Sequence, residues 1–229
     1  MVAIFVALMF VGFVMIDLMV QKVEARRTAY AAVSLAMPVP APNRFEHWVT
    51  VPEGVYLSAG HAWARPLQEG TLRAGADPLV ARALGAVSRV LLPSPGVRVE
   101  AGSTLFRLEL KGRVISVPCP VSGRVSAVNV NLEKEPELVA CDPYGQGWIC
   151  SLEQQSPGPM PTALRLGARA ALWLAREVAR FTEFMTLRLT LDSGLGATSQ
   201  DGGLPMPGLL AQSDSATWAA FEHEFLGRR

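Results

Sequence analysis

With 229 residues, the chain has room for one domain plus appendages. Its 21 basic and 20 acidic residues leave a net charge of +1, so nothing global argues for a nucleic-acid partner. The three cysteines, Cys119, Cys141 and Cys150, are odd in number and have no histidine at ligand spacing, which excludes a paired disulfide framework and a zinc site. They read as small packing residues of a protein in a reducing compartment.

Residues 2–20 form an apolar run broken by one charge, Asp17. About 20 such residues span a bilayer core as a helix. No basic residue precedes the run, whereas Lys22, Arg26 and Arg27 follow it. A secretory leader would carry its basic residues in front and a small-residue cleavage site behind. The expectation is therefore an uncleaved single-pass transmembrane helix over residues 1–27 in a bacterial inner membrane. The positive-inside rule puts its N-terminus outside and the globular domain in the cytoplasm. Asp17 is either an interfacial carboxylate or a polar contact to a partner helix. Residues 28–49 form a linker. Alternating prolines at 38, 40 and 42 favour an extended spacer of about 3.1 Å per residue.

From residue 50 to 155 the pattern is short strands broken by Pro and Gly, at 71–75, 87–92, 104–110, 114–117 and 123–130. Strands at this spacing predict a mainly β domain, a small sandwich or flattened barrel. Residues 78–84 read as a short helix. Lys111-Gly112 between two alternating runs reads as a hairpin tip, with glycine supplying positive φ. Asp142-Pro143-Tyr144-Gly145 reads as a capped turn. His61 reads as a buried structural imidazole beside Trp63. No nucleophile–base pairing marks a catalytic centre, so the expectation is a protein that is not an enzyme.

The landmarks of this region occur in a recognisable order. Tyr56, His61 and Trp63 open it. Leu84-Gly85, Leu92-Pro93, Gly96, Val99, Gly102 and Glu109 follow. Pro120, Ser122-Gly123, Val128-Asn129, the PELV of 136–139, the DPYG of 142–145 and Gly147-Trp148 close it. This stretch resembles the H-protein of the glycine cleavage system, the carrier that presents a lipoyl-lysine arm. The resemblance implies an H-protein-like barrel-sandwich hybrid over about 95 residues. It also implies a lysine eleven residues before Gly123, and Gly112 stands there instead; the nearest lysine, Lys111, is one residue early.

Residues 156–191 predict an amphipathic helix, N-capped by Thr162. Leu164, Ala171, Leu174, Val178, Phe181 and Met185 make one apolar stripe, and Arg165, Arg169, Arg176 and Arg180 fall on the opposite face. That basic face suits a partner or an anionic membrane surface, or is the solvated side of a helix packed on its own domain. Residues 192–229 read as an extended tail, rich in Gly, Pro and Ser, with a short helix at 215–226. Trp218, Phe221 and Phe225 form an aromatic face there, read as docking on a partner.

Two functions follow. The first is a non-catalytic, membrane-anchored accessory subunit with no cofactor. It would bind other subunits of a membrane complex, respiratory or photosynthetic electron transport being the guess from architecture. The second is a membrane-tethered carrier with the lipoyl group on Lys111.

Overall fold

The computed structural model describes residues 49–67, 70–154, 158–193 and 207–227. All lie in the second of the chain's two units, Pro42–Arg229. The transmembrane expectation for residues 1–27, with Asp17, and most of the 28–49 linker fall outside the described residues. Among the described residues no helix is long and apolar enough to cross a membrane.

Among the described residues, ten strands form two antiparallel sheets. They are β1 (Tyr56–Leu57), β2 (Ala62–Pro66), β3 (Thr71–Ala76), β4 (Arg89–Leu91), β5 (Arg98–Val99), β6 (Thr104–Leu110), β7 (Arg113–Pro118), β8 (Gly123–Val128), β9 (Cys150–Glu153) and β10 (Arg165–Leu166). One sheet runs β10-β1-β2-β3-β9-β8-β5 and the other β4-β6-β7. Trp63, Leu72, Leu108, Ile115, Ile149 and Leu152 are buried in one core shared by both sheets. The mainly β sandwich with C-terminal helices is therefore as expected.

Local sequence explains the elements. In β6, Phe106, Leu108 and Leu110 point inward while Arg107 and Glu109 alternate outward. A register shift between Thr104 and Phe106 lets Leu105 be buried as well. Helix α1 (Pro78–Leu84) starts where predicted. The Asp77 carboxylate accepts from the N–H groups of Leu79 (3.0 Å) and Val80 (3.2 Å), and Pro78 presets the first helical φ. A short α2 (Leu138–Cys141) precedes the DPYG turn. There the Asp142 carboxylate accepts from Gly145 (3.1 Å) and Gln146 (2.7 Å), as its capping role predicts.

Helix α3 (Ala168–Ser193) begins later than the sequence pattern suggests. Arg165 and Leu166 pair instead with Leu57 and Tyr56 of β1, and the chain turns at Gly167, φ 59°. Thr162 is therefore not a helix cap, and the sheet reaches past residue 155. The apolar stripe of α3 is real: Leu174, Val178, Phe181 and Met185 are buried.

The tail corrects the expectation that it needs a partner. It folds as α4 (Leu209–Gln212), α5 (Ser215–Phe221) and a π-helical turn, Glu222–Leu226. Trp218, Phe221 and Phe225 are buried within their own domain. Phe225 packs edge-on against Phe181 (5.9 Å) and Phe184 (5.5 Å) of α3. The other attachment is to β7, an edge strand with main-chain groups unpaired by the sheet. The Ser116 N–H donates to Glu222 Oε1 at 3.0 Å. Arg113 donates to the Ser213 carbonyl and lies over the Trp218 ring at 5.5 Å.

Candidate functional site

The β6–β7 hairpin closes with Leu110 opposite Arg113, leaving Lys111 and Gly112 as a two-residue loop. Both have positive φ, 51° and 78°, the requirement of a type I′ turn. Lys111 is exposed. It lines a cleft of about 620 Å³, within the usual range for a small-molecule site. Arg82 and Leu84 of α1, Ala140 and Cys141 of α2, and Gly208 and Ala211 of the tail complete much of the wall. The lining is mainly apolar, with Arg82, Lys111 and Glu137 as its charged members. An aliphatic chain attached to the Lys111 amine fits this chemistry, because the amine sits in water and the neighbouring surface is apolar.

None of the tail residues in this wall was identified from sequence. The only local signal was Pro207-Gly208, which reads equally well as linker. Cys141 is exposed, which corrects its reading as a packing residue. Cys119 and Cys150 are packing residues: burial pushes their thiols up to about 11 and about 12.

A second constellation centres on His61, fully buried and held at φ 61°. Its Nδ1 lies 2.7 Å from Asp77 Oδ2, and its Nε2 lies 3.6 Å from Glu177 Oε2 on α3, an ion-pair rather than a hydrogen-bond distance. The ring stacks on Trp173 at 5.0 Å. Burial alone would lower its pKa. The Asp77 charge and hydrogen bond, reinforced by Glu177, overcome this and raise the pKa to about 9. His61 is thus buried, as expected, but it stacks on Trp173 and has two carboxylate partners that the sequence did not mark. It joins the strands to α3.

The four arginines do not form one solvated face. Arg165 stands on β10, with its guanidinium over Trp173 at 4.6 Å. Arg180 turns inward, 3.1 Å from Glu177 Oε2, and donates to the Glu224 carbonyl at 2.9 Å. Arg169 and Arg176 are exposed. The expected basic interaction face is therefore reduced to these two residues, because the helix starts late and Arg180 is used internally.

The remaining landmarks brace the scaffold. Trp63 Nε1 donates to the Pro143 carbonyl at 3.0 Å, and Asn129 Nδ2 donates to the carbonyls of Gln146 (2.7 Å) and Trp148 (2.8 Å). They tie the 142–148 segment to β2 and to the end of β8.

Residues 55–166 match the family model described as "Glycine cleavage H-protein". The glycine cleavage system H protein of Mycobacterium leprae (strain TN) is 37% identical over 114 residues, which are 50% of this chain and 86% of the relative. That of Mycobacterium tuberculosis (strain ATCC 25177 / H37Ra) is 38% identical over 106 residues, 46% of this chain and 79% of the relative. A crystal structure of the H protein from Mycobacterium marinum aligns with TM-score 0.47 and 28% identity, over 55% of this chain and 99% of that one. The matched span ends on β10, so α3, α4 and α5 lie outside it. On the identity and coverage of these relatives, the chain belongs to the glycine cleavage H-protein family.

Proposed function

We propose that this protein is a membrane-tethered lipoyl carrier whose attachment residue is Lys111. The observation that carries the reading is the conformation of Lys111. A residue with a Cβ pays about 1–2 kcal/mol to sit at left-handed φ, and glycine or asparagine would relieve that cost. A lysine kept at 51° on the outermost point of a hairpin is a strained residue of the kind that collects at functional sites. The lipoyl group, when attached, supplies a dithiolane that takes up and releases a reacting group. The chain's own contribution is mechanical. The β6–β7 sheet holds the amine at a fixed point in solvent, and the cleft offers an apolar surface beside it. No residue of the chain catalyses the transfer; partner enzymes do. The tether is assigned to residues 2–20 on hydropathy alone, with the domain on the cytoplasmic side of a bacterial inner membrane.

The accessory-subunit reading is favoured by one observation, Gly112 at the position where the family resemblance implies lysine. A tail presented to neighbouring subunits supports that reading less, since Trp218, Phe221 and Phe225 are buried within their own domain. Incubating the full chain with lipoate, ATP and a lipoate ligase separates the two. The carrier reading expects label on the wild type and none on Lys111→Arg. Absence of label on the wild type sinks the carrier reading, and equal label on both moves the site away from Lys111.

A further inference from the structure

The Lys111 cleft is built partly from residues that the family match does not contain. One side is α1, within the matched span. Facing it is the segment 207–212, more than forty residues beyond the span's end at 166. Its seating is close and specific. The Gly208 N–H donates to the Arg82 carbonyl at 2.8 Å. A Cβ on Gly85 would come within 2.7 Å of the Gly208 Cα, so glycine at 85 is needed for the backbones to approach this closely. Leu210, within the segment, is fully buried. At its far end, the Ser213 carbonyl accepts from Arg113, the residue that closes the Lys111 hairpin. The appended segment therefore bridges the two halves of the site, helix α1 and the hairpin.

We infer that this segment is a positioning wall: it completes a slot that holds the arm attached to Lys111 against α1, and so determines how much of the time that arm is exposed to solvent. The slot's shape indicates its occupant. Gly85, Ala140, Gly208 and Ala211 line it with small side chains or none, while Leu84 and Leu110 supply apolar surface. A slim unbranched acyl chain fits the apolar part of this wall. Identifying the occupant as a lipoyl arm rests on the carrier reading. The existence of an apolar acyl slot does not.

The test uses the lipoylated full chain in detergent and the rate at which a water-soluble phosphine reduces the arm's disulfide. Ala211→Trp fills the slot from the α4 side. Ala219→Trp, on the exposed face of α5, is the control. An arm docked about 80% of the time is exposed for about one fifth, so expelling it speeds reduction about fivefold. The expected result is that acceleration in Ala211→Trp and none in Ala219→Trp. Equal rates in all three proteins overturn the wall. A second measurement does not depend on modification: free lipoamide is titrated into the Lys111→Arg protein and backbone amide shifts are followed. Shifts centred on Gly85, Gly208 and Ala211 support the slot, and their absence overturns it. If the native protein carries no lipoyl mass while lipoamide still shifts these residues, the carrier reading falls and the slot stands.

Discussion

Replacing Phe221 with alanine is expected to destabilise the isolated protein by about 3–5 kcal/mol, the usual cost of emptying a large aromatic site in a core. Phe221 is fully buried. It meets Phe181 edge-on at 5.6 Å and stacks on Phe225 at 5.0 Å. The first of these contacts joins the tail to α3, so the site cannot collapse without moving both. Denaturant unfolding of the full chain measures the effect. A residue that waited for a partner would behave differently. Its truncation would leave the lone protein within about 0.5 kcal/mol of wild type, as surface changes do, and that result would restore the docking role for the tail.

Raising the pH is expected to loosen the attachment of α3 in a defined window. The folded-state pKa of His61, about 9, lies above its ordinary value of 6.5. Its stabilising contribution is therefore complete below about pH 6.5 and is lost as the pH rises through 9. At about 1.4 kcal/mol per pKa unit, the amount at stake is on the order of 3 kcal/mol. Removing the proton leaves a neutral ring between Asp77 and Glu177, with Arg180 beyond. His61→Asn is the informative variant, because asparagine tolerates the positive φ better than most residues. Unfolding midpoints at pH 6.5 and 9.5 should fall steeply for wild type and much less for the variant. Parallel slopes would show that His61 is not the group responsible.

What was legible in the sequence was local. Asp77-Pro78 marks the start of α1 because capping and a preset φ act within three residues. Lys111-Gly112 marks the hairpin tip because a two-residue turn demands positive φ. The aromatic spacing of Trp218, Phe221 and Phe225 marks a helix face for the same reason. What that face packs against was not legible: Phe181 and Phe225 meet across a gap in the chain to which periodicity is blind. Nor was the pairing of His61 with Glu177, since nothing near His61 in sequence announces a carboxylate on α3. Strand β10 escaped for a different reason. Two residues carry no alternation, and Arg165-Leu166 also fits the helical stripe that follows. The cleft beside Lys111 needs α1, α2 and α4 at once, and only the folded chain brings them together.

The carrier reading requires that Lys111, and not a residue at the position the family resemblance implies, bear a lipoyl group in the native protein. Trypsin does not cut after an acylated lysine, so the peptide covering residues 108–113 reports directly on it. Mass analysis of protein purified from its own membranes is expected to give that peptide uncut at Lys111, heavier by one lipoyl group. Recovery of only the cleaved, unmodified halves, with an unmodified intact mass, would contradict the account and leave the accessory-subunit reading in its place.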